Sequence, residues 1–357
     1  MKLLSIGTDR NIFEKDSVVG KRMIRYAQCF EEFHIIVFTK KNLGFNKMKL
    51  AENVWVYPTN SRLRFGYIRD AVALAEKIST YDVVTTQDPF ETGVAGKRIA
   101  ESKNIPLHVQ VHTNFLASAF KKHSLLNRMR VRVAKNVITY ASRVRVVSEK
   151  IKQQIIEKYR TETPISVLPI FVDLTRFREG TQSKKDCSWK RVLFVGRLEK
   201  EKRPEYALST LKYLMDKGMD ARLTVVGEGN LEHSLKEMAQ NLGVFERVTF
   251  AGHQDPLMYY KDADVLLVPS LYEGYGLVIA EAVASGTAVI STSVGVAEEA
   301  GAVIAPHDKV GFAEKVYEFL SHERSHEVSH EEFLHVYPYK DEKDYIEKWC
   351  EDIKNTV

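Results

Sequence analysis

The sequence predicts an α/β protein of two domains, each a parallel sheet covered by helices. Three observations predict it. The chain has 357 residues, more than one typical hydrophobic core accommodates. Short β-rich apolar runs alternate with helix-like segments along its length. The alternation breaks in the polar, charged stretch Arg176–Ser188 and then restarts, as expected of a linker or a surface loop beside it.

In the first half the strand candidates are Leu3–Gly7, His34–Thr39, Val54–Pro58, Asp82–Thr86, Leu107–His112 and Val144–Ser148. Helical patterns fall between them at Glu91–Ser102 and Leu125–Ala141, and Ile165–Asp173 reads as a last strand. In the second half the strand candidates are Arg191–Val195, Arg222–Val226, Val248–Phe250, Val265–Pro269 and Ala288–Ser291. Helices are expected at Pro204–Asp216, Leu231–Leu242, Leu277–Ser285 and Asp308–Leu320, with Pro204 suited to a first turn where its missing N–H has no partner. Lys340–Lys354 reads as a terminal helix packing back on the first domain. The expected domains are residues 1–175 and 188–335, followed by the terminal segment 336–357.

Composition narrows the class. Hydrophobic residues make up 44% and charged residues 28%, an ordinary globular mixture. No apolar run approaches the roughly 20 residues that span a bilayer. Met1–Asp9 reads as a first strand rather than a signal peptide. Cys29, Cys187 and Cys350 form a sparse, odd set, which suits a reducing cytoplasm and argues against a disulfide framework or a zinc site. The net charge of +5 divides unevenly: residues 1–175 hold 29 Lys and Arg against 16 Asp and Glu, while residues 176–357 hold 23 against 31. A basic first half suits nucleic acid, an anionic membrane surface or a phosphorylated substrate, or serves solubility without a specific partner. No aromatic–basic platform or base-reading motif supports nucleic acid.

Two segments carry the chemistry. In Val192–Leu208 a buried strand ends at Gly196, and Arg197 and Lys202 follow before the helix at Pro204. Ligands of open α/β sheets sit beyond the carboxyl ends of strands, and two cations beside a helix N-terminus suit a diphosphate. Arg197 would fork onto two phosphate oxygens and Lys202 would supply a point charge. The stretch also fits a solvated charged loop, since Glu199, Lys200, Glu201 and Arg203 crowd it. Gly227 and Gly229 permit a tight turn or close ligand approach.

The second segment is Val268–Gly286. Gly274 and Gly276 leave room for a ligand, and the backbone N–H groups from Gly276 through Leu277 to Val278 are placed to cradle an anion. Glu273 and Glu281, eight residues apart, put two carboxylates in the same region, suited to accepting hydrogen bonds from sugar and ribose hydroxyls; a loop glutamate and a helix-surface glutamate without a ligand fit the same spacing.

With these residues in place the chain resembles the retaining glycosyltransferases of family 4, with the GT-B fold of two Rossmann-like domains facing across a cleft. The resemblance spans essentially the whole chain and is sharpest over Gly196–Lys202 and Glu273–Glu281. It implies that Arg197 and Lys202 bind the donor diphosphate, that Glu273 contacts donor-sugar hydroxyls and that Glu281 holds the ribose. It further implies that His112 projects toward the donor sugar, that a loop at Gly20 approaches the phosphates, and that no metal is required. The glycine pair common in the family at the Gly20 loop is absent here. Buried packing is the alternative for His112.

Asp262-Ala263-Asp264 has the acid–any–acid pattern of some metal sites but precedes a strand, on the side away from the crevice, and reads as structural. Two overlapping HExxH matches, His322–His326 and His326–His330, lie in a polar run without a third ligand and read as a solvated segment.

The expected partners are a UDP- or GDP-sugar and a glycan, polysaccharide or lipid-linked acceptor. Lys121, Lys122, Arg128, Arg130, Arg132 and Lys135 cluster in one helical region, which suggests a cytoplasmic enzyme lying peripherally on an anionic membrane, with a soluble acceptor as the alternative. Arg128 and Arg132, four apart, share a helix face. Two other classes remain open: a GT-B nucleotide-sugar epimerase or hydrolase, and a noncatalytic nucleotide-sugar-binding scaffold. Nothing in the sequence fixes the oligomeric state.

Overall fold

The computed structural model describes residues 1–78, 80–179, 188–322 and 337–357. The chain divides into two units, Met1–Pro169 with Tyr339–Val357, and Ile170–Pro338. Ile170–Thr175, expected in the first domain, therefore belongs to the second unit.

The first unit holds an eight-stranded sheet in the order β3-β4-β2-β1-β5-β6-β7-β8. Its strands are β1 (Lys2–Gly7), β2 (Glu32–Val37), β3 (Met48–Ala51), β4 (Val54–Pro58), β5 (Val83–Thr86), β6 (Leu107–Val111), β7 (Arg143–Val146) and β8 (Ile165–Val167). All pairings are parallel except that of the edge strand β3 with β4. The central strands are buried on both faces, as continuous runs such as LLSIG demand. The helices are α1 (Val18–Ala27), α2 (Tyr67–Glu76), α3 (Glu91–Lys103), α4 (Ser118–His123), α5 (Leu125–Tyr140) and α6 (Glu149–Tyr159). Ser17, Ser124 and Ser148 cap α1, α5 and α6 through their hydroxyls.

The strand expected over Ile165–Asp173 stops at Val167. Pro169 has no N–H for a ladder, and the carbonyls of Leu168 and Pro169 turn instead to the guanidinium of Arg145. Asp173 then caps a short helix, α7 (Leu174–Arg178).

The second unit holds a six-stranded parallel sheet in the order β11-β10-β9-β12-β13-β14. Its strands are β9 (Lys190–Val195), β10 (Ala221–Val226), β11 (Val248–Gly252), β12 (Val265–Val268), β13 (Ala288–Ser291) and β14 (Val303–Ile304). The covering helices are α8 (Pro204–Asp216), α9 (Glu232–Asn241), α10 (Leu257–Asp262), α11 (Leu277–Ala284) and α12 (Lys309–Ser321). Leu208, Leu211 and Leu214 of α8 and Phe312 and Val316 of α12 pack with Phe194, Leu223 and Leu267 of the sheet. Residues 323–336, which hold most of both HExxH matches, lie outside the described residues, as do 180–187 of the polar stretch.

The terminal helix α13 (Glu342–Lys354) belongs to the first unit. Trp349 stacks on Tyr26 with ring centroids 4.4 Å apart, and Glu342 pairs with Arg25 at 2.6 Å. Asp352 meets the buried His108 at 3.0 Å and Arg143 at 3.4 Å. Tyr345 accepts from the fully buried Arg145. Here the structure corrects the reading of the cysteines: Cys29 and Cys350 form a disulfide between residues 321 positions apart. Cysteine usage consequently gives no support for a reducing compartment.

Candidate functional site

The topology of the second sheet fixes where a ligand belongs. From β9 the chain runs outward through β10 and β11, then returns to the other side of β9 to build β12, β13 and β14. β9 and β12 are parallel neighbours, with Val192 opposite Val265. In open parallel sheets the crevice that receives a ligand lies beyond the carboxyl ends of the two strands at such a switch point.

Three loops form the rim, and hydrogen bonds tie them together. The Leu271 N–H donates to the Glu201 carbonyl at 2.8 Å, joining the loop after β12 to that after β9. The Thr292 hydroxyl donates to the Ser270 carbonyl at 2.6 Å, and the Val296 N–H to the Tyr275 carbonyl at 2.9 Å, joining the loop after β13. Gly295 adopts a φ of +53°, and a Cβ there would sit 2.2 Å from the Tyr275 carbonyl oxygen.

Lys202 and Glu273 meet across the crevice. Lys202 Nζ donates to Glu273 Oε1 at 2.6 Å, and the Ser270 hydroxyl donates to the same oxygen at 2.8 Å. Glu273 is buried and the Lys202 side chain is mostly covered, so both keep a fixed geometry. Arg197 differs: its side chain is 71% exposed and pairs with Glu201 at 2.9 Å, a contact weak enough in water for an anion to replace.

Glu281 lies on α11, where its Oε2 accepts from the buried Tyr260 hydroxyl at 2.8 Å. Burial pushes the Glu281 carboxyl up, opposed by that hydrogen bond and by the positive charge of Arg176. Tyr260 is held in turn by an edge contact with Phe177, centroids 6.0 Å apart. Gly276, at φ +89°, begins α11 with no side-chain cap. The Ile279 N–H turns back to the Gly276 carbonyl, and the N–H groups of Leu277 and Val278 belong to the helix's first turn, which has no intrahelical acceptors for them. Gly274 lies in the same loop, between Glu273 and Gly276.

Gly196 and Gly227 work as a pair. The Gly196 N–H donates to the Val226 carbonyl at 3.0 Å, and a Cβ on Gly227 (φ +134°) would fall 2.0 Å from the Gly196 carbonyl oxygen. Gly229 is equally confined against the backbone of Leu198. These glycines bring the loops after β9 and β10 into backbone contact.

The remaining candidates lie in the first unit. His112 follows β6, and its Nδ1 is buried without a hydrogen-bond partner. Burial, reinforced by the charges of Arg145 and Arg22, pushes its imidazolium down to about 3, so the ring is neutral at pH 7. Gly20 is not in a loop. It is the third residue of α1, and its N–H is taken by the capping Ser17 hydroxyl at 3.0 Å, so it offers no donor to a phosphate. Asp262 and Asp264 grip Arg191 at 3.0 and 2.9 Å, at the opposite ends of the strands from the crevice.

Sequence reasoning missed Ser270, Glu201, Tyr260, Thr292 and Gly295. Ser270 was within reach, three residues before Glu273 in the same glycine-rich loop. The others act through tertiary contacts with no local pattern.

Known proteins resemble the chain in sequence and in fold. Residues 189–322 match the family described as Glycosyl transferases group 1, and residues 32–176 match Glycosyltransferase Family 4. An uncharacterized glycosyltransferase of Methanocaldococcus jannaschii is 27% identical over 233 residues, 61% of this chain and 59% of that protein. A D-inositol 3-phosphate glycosyltransferase of Nocardia farcinica is 34% identical over 178 residues, 45% of this chain and 40% of that protein. The chain thus spans about half the length of the curated relatives it matches. Among solved structures, Anabaena HepE in complex with UDP and glucose superposes with a TM-score of 0.74 at 16% identity, covering 100% of both chains. The chain has the GT-B fold, and over residues 32–176 and 189–322 it is related to glycosyltransferases of family 4 and group 1.

Proposed function

We propose that the chain transfers a sugar from a UDP- or GDP-sugar to a hydroxyl of a glycan, polysaccharide or lipid-linked acceptor, with retention at the anomeric carbon. The observation that carries this reading is the Lys202–Glu273 contact at the switch point of the second sheet. It sets a cation and a carboxylate side by side where a diphosphate meets a sugar.

The diphosphate is assigned to Arg197, Lys202 and the N–H groups of Leu277 and Val278. Negative charge grows on it as the bond from the anomeric carbon to the phosphate oxygen breaks, and fixed donors stabilise that charge most. The acceptor oxygen bonds the anomeric carbon from the same face, and its proton passes to the departing phosphate oxygen. Glu273, acceptor of two hydrogen bonds already, orients sugar hydroxyls and is not assigned as nucleophile. Glu281 accepts from the ribose, with Tyr260 fixing its rotamer. No step uses a metal. His112, neutral and with a free ring nitrogen, is assigned to the sugar side of the reaction.

The acceptor is assigned to the first unit, whose sequence is strongly basic. The Nocardia relative, named for a phosphorylated inositol, fits an acceptor that brings negative charge. The test is a binding screen against UDP- and GDP-sugars with Arg197→Ala as control. Arg197-dependent binding of one donor, followed by acceptor-dependent release of nucleotide, is the expected result. Full-rate release or epimerisation without acceptor would instead identify a hydrolase or epimerase, and binding without turnover a scaffold.

A further inference from the structure

Helix α5 carries a second apolar stripe, exposed to solvent, besides the face it buries. Val131, Ala134, Val137 and Ile138 turn inward, as an amphipathic helix requires. Yet Leu125 is 75% exposed, Met129 61% and Leu126 51%, and Val133 and Tyr140 are also exposed. At 3.6 residues per turn Leu125, Met129, Val133 and Tyr140 fall on one stripe, with Leu126 at its edge. Ordinary packing leaves single apolar residues exposed, not a row three turns long.

Cations border the stripe on one side and at its amino-terminal end. Arg128, Arg132 and Lys135 are exposed along one side, and Lys122 lies on α4 at the amino-terminal end. Neither α4 nor α5 contains an Asp or Glu. Lys121 is pushed down to about 8 by burial and then by the neighbouring Lys158, a sign of crowded positive charge.

We infer that this face of α5 docks on an anionic lipid surface, with Leu125, Leu126, Met129 and Val133 entering the bilayer interface and the flanking cations meeting lipid phosphates. Aliphatic side chains bordered by long cationic stems are the pattern that such insertion uses. A second copy is disfavoured because two such faces would set like charges against each other. A nucleic acid would gain nothing from an aliphatic stripe that offers no stacking rings. The inference deepens the acceptor side of the proposed transfer but does not depend on it, because donor binding is assigned to the other unit and is read separately.

The experiment is co-flotation of the intact protein with phosphatidylcholine vesicles, with and without phosphatidylglycerol, across a salt series. Binding is expected only with the anionic lipid. Met129→Glu and Leu125→Glu should each weaken it about tenfold, with circular dichroism and nucleotide binding unchanged. Arg128→Gln with Arg132→Gln should weaken it and flatten its salt dependence. Absence of binding by the folded wild type overturns the inference, as does binding that Met129→Glu leaves intact. A concentration-dependent dimer in sedimentation, abolished by Met129→Glu, would also overturn it and assign the face to self-association. Should nucleotide-sugar binding fail while flotation succeeds, the donor reading falls and the docking surface stands.

Discussion

Lys202 Nζ and Glu273 Oε1 lie 2.6 Å apart although 71 residues separate them in sequence. The contact exists because β9 and β12 are neighbours, and because Ser270 fixes the carboxylate from beneath. It joins the group assigned to the diphosphate to the group assigned to the sugar, so the two ends of the donor should respond differently to mutation.

Glu273→Gln should lower kcat about a hundredfold, the scale of removing one electrostatic contact to the reacting centre, and change the Kd for free nucleotide little. Lys202→Ala should lower kcat similarly and also weaken nucleotide binding. Steady-state kinetics with product titration checks both. A Glu273→Gln enzyme with normal kcat would remove the carboxylate from the site.

Glu281→Ala should raise the Kd for the nucleoside diphosphate about tenfold or more, as expected for losing a charged hydrogen bond to ribose. Burial raises the Glu281 carboxyl, so acid should weaken wild-type binding as the carboxylate protonates, with the onset above the usual Glu range. Calorimetric titration of nucleotide across the acid range reads the effect, and a pH dependence unchanged in Glu281→Gln would contradict it.

The sequence reveals the crevice better than its supports. Arg197, Lys202, Glu273 and Glu281 occupy short segments where glycines, charges and a strand–loop–helix pattern coincide. Gly20 misleads because SVVGKR reads as a loop, with two β-branched residues and a glycine, while Ser17 converts the same residues into a capped helix. The edge strands β3 and β14, four and two residues long, have no period to detect. The Cys29–Cys350 bond joins residues that only the docking of α13 brings together.

Gly227→Ala should destabilise the protein by about 3 kcal/mol, because the new methyl needs both a disfavoured φ and the space of the Gly196 carbonyl. Urea unfolding measures the loss. Gly243→Ala provides the control: it has a positive φ but open space, so it should cost about 1 kcal/mol.

Acid should destabilise the first unit through three groups acting in one direction. His108 and His112 are held below the ordinary histidine range by burial, so as pH falls below about 6.5 the unfolded chain takes up protons that the fold refuses. Burial raises the Asp352 carboxyl, but His108 and Arg143 outweigh it and leave it lowered, so its stabilisation is present above the unfolded carboxylate value and lost below it. The urea midpoint should therefore drop as pH falls from 7 to 5 through the two histidines, with Asp352 adding its share only below about pH 4. His112→Gln should flatten that slope, and an unchanged slope would show that the imidazole is accessible to protons in the folded state.

The Cys29–Cys350 bond ties α13 to the segment after α1, beside the stacked pair Tyr26–Trp349. A cross-link closing so long a loop restricts the unfolded chain strongly, so Cys350→Ser should destabilise by about 2–4 kcal/mol. Reductant should lower the Tm of the wild type toward that of the variant and leave the variant unmoved. Thiol labelling of the unfolded, unreduced wild type should find one reactive cysteine of the three. Three reactive thiols, with a Tm indifferent to reductant, would show that the cysteines meet without bonding and that the aromatic and ionic contacts of Trp349, Tyr345 and Asp352 alone hold the helix in place.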